Sequence, residues 1–158
     1  MGAGRTGASA SGMTGALAPE RRVETIAPDL ELTLPARPEN VAVARHAIGG
    51  FADVLEMPDQ TLADVKLAVT EACTNVVDHA YPDGEGPMEV AAAIRDGRLA
   101  IAVRDEGRGM LPRADSPGLG LGLPLIATLA ETLELGRSDD DRTEVRMTFP
   151  LEPADVPA

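Results

Sequence analysis

"MEVAAAIRDGRLAIAVRD", residues 88 to 105, reads as two alternating strands around a tight turn. Apolar side chains recur at Met88, Val90, Ala92 and Ile94 and, after Asp96-Gly97, at Leu99, Ile101 and Val103. That is the period of strands with one face in a core. Asp-Gly suits the left-handed backbone of a two-residue hairpin turn, so the strands should pair antiparallel and end on Asp105.

Upstream, "LELTLPA", residues 30 to 36, predicts another strand, residues 38 to 55 a helix opened by Pro38, and residues 59 to 80 a second helix with Asp59 as its cap. Downstream, a glycine-rich loop leads into a helix near residues 120 to 131, and "TEVRMTFP", residues 143 to 150, returns as a last strand. Two helices, a hairpin, a helix and a strand, without βαβ repetition, predict an α+β two-layer sandwich: one mixed, mostly antiparallel sheet with helices on one face. Residues 1 to 22, rich in Gly, Ala, Ser and Thr, read as a disordered tail, 23 to 151 as one domain, and 152 to 158 as a frayed end.

Composition narrows the function. The formal net charge is -12, with no run of Lys or Arg, which disfavours nucleic acid and anionic membrane surfaces as partners. An anionic small ligand is compatible, because helix N-termini and backbone N–H groups supply local positive potential whatever the net charge. Aromatics make up only 2% of the chain, so the core must be aliphatic. The one cysteine, Cys73, excludes an internal disulfide and suits packing in a reducing compartment. With no long apolar run, the expectation is a cytoplasmic protein.

Three segments carry more polarity or glycine than packing needs. On the second helix, "TEACTNVVDHAY", residues 70 to 81, sets Glu71, Asn75, Asp78 and, less centrally, His79 on one side, with Ala72 and Val76 facing a core. Glu71 and Asn75 offer a carboxylate and an amide oxygen one turn apart, a pair suited to orienting a nucleophile and ligating Mg2+, though also to a solvated helix face. "DEGRG", residues 105 to 109, ends a strand on a carboxylate able to accept from an exocyclic amine, and Gly107 and Gly109 permit a tight turn and close ligand approach. An ordinary acidic turn has the same pattern. "GLGLGLPLI", residues 118 to 126, exposes backbone donors at Gly118, Gly120, Leu121 and Gly122 before a helix with Pro124 in its first turn, a phosphate cradle or a simple helix lead-in. A Rossmann loop would follow the first strand of a βαβ unit, and the Lys-Ser/Thr of a P-loop is absent.

In that order the three segments resemble the N, G1 and G2 boxes of the Bergerat-fold (GHKL) ATPases. "NVVDHAY" and the short spacing resemble, more narrowly, the bacterial anti-sigma factor serine/threonine kinases. The resemblance implies ATP and Mg2+ as cofactors, Glu71 as catalytic base, Asn75 as metal ligand, and Asp105 as partner of the adenine amino group. Gly107 and Gly109 would then form the adenine-side turn, residues 110 to 117 a short lid, and Gly118, Gly120, Leu121 and Gly122 the phosphate loop. Thr143 would support the adenine contact. His79 would hold the helix end, Asp78 stays outside the core site, and Arg108 and Arg113 could reach phosphates from the lid.

The implied partners are an alternative sigma factor, a STAS-type anti-sigma factor antagonist phosphorylated on Ser or Thr, and a second copy in a homodimer. A non-catalytic ATP-binding module that switches partners is the alternative. His46, in "VARHAIGG", is no phospho-acceptor signature.

Overall fold

The computed structural model describes residues 22–23, 27–107 and 122–152. Most of the expected N-terminal tail, the lid at 110 to 117, Arg108, Arg113, Gly109, Gly118, Gly120 and Leu121, and the last six residues lie outside the described residues.

The element order is strand β1 (Leu30–Pro35), helix α1 (Pro38–Val54), helix α2 (Asp59–Asn75) with a π-helical turn (Val76–Ala80), strands β2 (Pro87–Arg95) and β3 (Arg98–Asp105), helix α3 (Gly122–Leu129), and strands β4 (Thr132–Arg137) and β5 (Thr143–Pro150). The strands form one sheet in the order β1-β2-β3-β5-β4, each neighbouring pair antiparallel. An isolated bridge between Arg22 and Arg137 supplies parallel pairing. The expected α+β layering is observed.

The hairpin forms as its sequence predicts. Asp96 and Gly97 take φ of 51° and 74°, the left-handed pair of a type I′ turn, and Arg95 faces Arg98 across it. Met88, Val90, Ala92, Leu99, Ile101 and Val103 are buried on the helix side; Ile94, beside the turn, is 40% exposed instead of joining them. Pro38 starts α1 at a position where its missing N–H costs nothing, and Val41, Ala44, Ile48 and Ala52 bury at helical spacing. The expected Asp59 cap is not one: Pro58 occupies the cap position without a side-chain bond and Asp59 opens the first turn, where its charge still complements the helix dipole.

The core joins α1, α2 and α3 to the inner sheet face through Ile48, Val65, Val69, Met88, Leu99, Ile101, Ile126, Met147 and Phe149, all at most 1% exposed. Burying each such side chain contributes roughly 1.5–3 kcal/mol. Cys73 packs among them, and burial pushes its thiol up to about 12, so it stays protonated and unreactive.

Strand β4 was not foreseen. "TLELGR" holds only two alternating apolar residues, Leu133 and Leu135, beside Gly136, too short a signal without its partner. Pairing with β5, Leu133 to Met147 and Leu135 to Val145, makes it a strand.

Candidate active site

Antiparallel pairing of β3 with β5 brings the end of one strand against the start of the other, so Asp105 and Thr143 face each other at one rim of the sheet. Both are buried to 1% exposure. Asp105 Oδ1 accepts a hydrogen bond from the Gly107 N–H at 3.0 Å, while Oδ2 and the Thr143 hydroxyl have no partner among the described residues. Burial pushes the Asp105 carboxyl up to about 6, against a smaller downward pull from the Gly107 bond and the Arg137 charge.

Buried polar atoms without partners cost free energy, on the order of 1–3 kcal/mol each, and are expected where a ligand supplies the missing bonds. Asn75 adds a third. The residue is 6% exposed, and its Nδ2 has no hydrogen-bond partner among the described residues. It lies against Gly122, the first residue of α3: a Cβ added there would fall 2.4 Å from Nδ2. Gly107 is similarly confined, since a Cβ would meet the Ala80 carbonyl oxygen at 2.0 Å, which presses the end of the π-helical turn against the Asp105 turn. Two of the predicted glycines are thus required by close approach.

The expected polar stripe on α2 is only partly realised. Asn75 is buried and Glu71, one turn earlier, is half-buried, but Asp78 is exposed and His79 half-buried. The physical reason is the π-helical turn, whose wider winding breaks the 3.6-residue phase after Asn75. Arg37 and Glu85, paired at 3.0 Å, lie in the exposed surface instead.

Sequence reasoning assigned no role to Tyr81, although it is the chain's only tyrosine and ends the quoted motif. Its hydroxyl donates to the Pro87 carbonyl at 2.5 Å and accepts from the Glu106 N–H at 2.8 Å. Beside it opens a cleft of about 630 Å³ lined in part by Ala80, Tyr81 and Gly107.

Behind this rim, on the outer sheet face, lies an ion-pair network that the sequence did not reveal. Arg104 Nε donates to Glu144 at 2.7 Å and its other arm pairs with Glu89; Arg142 reaches Glu89 at 3.1 Å and Asp140 at 2.6 Å, and Arg146 pairs with Glu144 at 2.8 Å.

A family model described as the histidine kinase-like ATPase domain matches residues 34–149. The chain belongs to that family. It is 36% identical over 142 residues to the serine-protein kinase RsbW of Halalkalibacterium halodurans, covering 80% of this chain and 86% of the relative. It is 33% identical over 130 residues to an anti-sigma F factor of Caldanaerobacter subterraneus subsp. tengcongensis, covering 75% and 91%. These matches place it in the anti-sigma, serine-kinase branch of the family, a branch of ATP-dependent kinases. A solved structure of the RsbU and RsbW domains of Rv1364c from Mycobacterium tuberculosis aligns with a TM-score of 0.60 at 22% identity. That alignment covers 84% of this chain and 36% of the longer one, and supports the fold.

Proposed function

We propose that the chain is an anti-sigma factor that holds an alternative sigma factor and, with Mg-ATP, phosphorylates a Ser or Thr of a STAS-type antagonist. The observation that carries the nucleotide site is the set of buried polar atoms without a hydrogen-bond partner among the described residues, Asp105 Oδ2, Thr143 Oγ1 and Asn75 Nδ2, beside two glycines with no room for a side chain. A purine with an exocyclic amine supplies a donor for Asp105 and further polar atoms for Thr143.

In this reading Asn75 would hold Mg2+ through its amide oxygen, the kind of hard ligand that cation prefers, and the ion would offset the charge of the phosphates. Gly122 opens α3 there, and its helix N-terminus favours the phosphates. Bound ATP supplies the transferable γ-phosphoryl group. Glu71, half-buried one turn from Asn75, takes the proton of the antagonist hydroxyl as its oxygen bonds to phosphorus and the bond to the ADP oxygen breaks. By the resemblance, Gly109 belongs with Gly107 to the adenine-side turn, and Gly118, Gly120 and Leu121 belong with Gly122 to the phosphate loop. A homodimer and a cytoplasmic setting belong to the same proposal; among the described residues no helix is long and apolar enough to cross a membrane.

The test is capture of partners from a host lysate on the immobilised protein, with ADP or with Mg-ATP, and mass spectrometric reading of phosphosites. A retained sigma factor and a small antagonist phosphorylated only with Mg-ATP are expected. Glu71→Gln should lower phosphotransfer about 10²- to 10⁴-fold while sparing nucleotide affinity. Partner exchange without any phosphorylation would favour the non-catalytic switch.

A further inference from the structure

We propose that Tyr81 is a positioning residue that locks the Asp105–Gly107 turn in the form that reads the amino group of adenine. The proposal rests on the nucleotide-site reading above and adds a residue to which the three sequence boxes gave no task.

The ladder between β2 and β3 ends on the pair Met88 and Asp105, so the next pair outward would be Pro87 and Glu106. In place of a direct rung, the Tyr81 hydroxyl stands between them, donating to the Pro87 carbonyl and accepting from the Glu106 N–H. The following N–H, of Gly107, goes to Asp105 Oδ1. Both donors beyond Asp105 are thereby engaged, and of the two oxygens of the Asp105 carboxylate it is Oδ2 that has no hydrogen-bond partner among the described residues. Without the hydroxyl the Glu106 N–H loses its acceptor, and a turn released to move can offer a backbone donor to the buried carboxylate; occupying Oδ2 removes the acceptor an exocyclic amine needs.

The ring is held as tightly as the hydroxyl. A Cβ at Gly86 would fall 2.2 Å from its Cε1, and one at Gly107 would fall 2.9 Å from its Cδ1. Tyr81 follows directly on the π-helical turn after Asn75, so one side chain ties the helix that carries the proposed metal ligand to the turn that carries the proposed base contact. Burial raises its ionisation above the usual phenol range, which keeps the hydroxyl a donor at neutral pH.

The test compares ADP with IDP, which differ where Asp105 would bind, on the full chain carrying Tyr81→Phe. Affinity for ADP should fall about tenfold with IDP nearly unchanged, so the preference for ADP collapses by the same factor. The Glu106 amide should lose protection from hydrogen exchange, while the ATP-to-ADP affinity ratio stays as in the wild type, since both nucleotides carry the same adenine. Loss of stability alone would not move the ADP-to-IDP ratio of the folded protein. A folded Tyr81→Phe variant with the wild-type ratio overturns the proposal, provided Asp105→Asn abolishes the ADP preference. A wild type that does not prefer ADP, or an Asp105→Asn variant that keeps the preference, overturns the nucleotide-site reading and this proposal with it. If Tyr81→Phe does not fold, Gly86→Ala, which displaces the ring, carries the same expectation and the same refuting outcome.

Discussion

Arg104 and Asp105 are neighbours on β3, as Glu144 and Thr143 are on β5, yet the two pairs do opposite work. Strand side chains alternate faces, so Arg104 and Glu144 meet on the outer face and Asp105 and Thr143 on the inner rim. Both regions are buried, Glu144 to 0% and Asp105 to 1% exposure. On the outer face every charged side chain of the network has an ion-pair partner, even where Arg142 Nε and Glu144 Oε2 lack a hydrogen bond of good geometry. On the inner rim, Asp105 Oδ2, Thr143 Oγ1 and Asn75 Nδ2 have no hydrogen-bond partner among the described residues, and the Arg137 charge offsets only part of the cost of burying Asp105. One-residue alternation thus separates polarity that holds three strands in register from polarity left open to a ligand.

The largest effect expected from breaking this contrast is at Glu144. Glu144→Ala removes the buried carboxylate that pairs with both Arg104 and Arg146 and should cost about 3 kcal/mol in chemical denaturation, with ADP affinity of the folded fraction changed little. A cost well below 1 kcal/mol would mean that the outer network does not hold the strands.

Asp105→Asn should do the reverse, losing roughly 100-fold in ADP affinity while stabilising the ligand-free protein. The sign follows from the raised pKa: the folded state binds the proton more tightly, so burying the ionised carboxylate costs nothing below about pH 4, increasingly more between 4 and 6, and its full amount above. The variant should therefore gain up to about 3 kcal/mol at pH 7.5 and nothing near pH 4, as read by urea unfolding at the two pH values. Equal stabilities at pH 7.5 would show that the carboxylate has a partner in the free protein.

A smaller effect is expected from Gly122→Ala, whose methyl group would push Asn75 away. ADP affinity by calorimetry should fall about tenfold, and a wild-type value would place Asn75 outside the site. The smallest is Arg37→Ala. Arg37 and Glu85 are about half-exposed, and losing the pair should shift stability by no more than about 0.5 kcal/mol, which calibrates the buried network against a solvated one.

Legibility in the sequence followed the range of the forces involved. The β2–β3 hairpin, the Pro38 start of α1 and the order of the three boxes were readable because each depends on residues within a few positions of one another. The cap assigned to Asp59 failed by one residue because a helix boundary depends on where the chain enters from Pro58. Strand β4 was missed because its signal lies in its partner β5, and the polar stripe on α2 was overextended because nothing local announces a π-helical turn.

By itself the sequence determined the layer architecture, the carboxylate and amide on α2, the acidic strand end and the glycine-rich lead to α3, since periodicity and backbone freedom are properties of short segments. Only the tertiary structure decided that Asp105 lies opposite Thr143, that Asn75 lies on Gly122, that Tyr81 bridges two strand ends, and which buried charges are paired. Those outcomes depend on strand register and on contacts between residues far apart in the chain, where a shift of one position would exchange the ion network for the site.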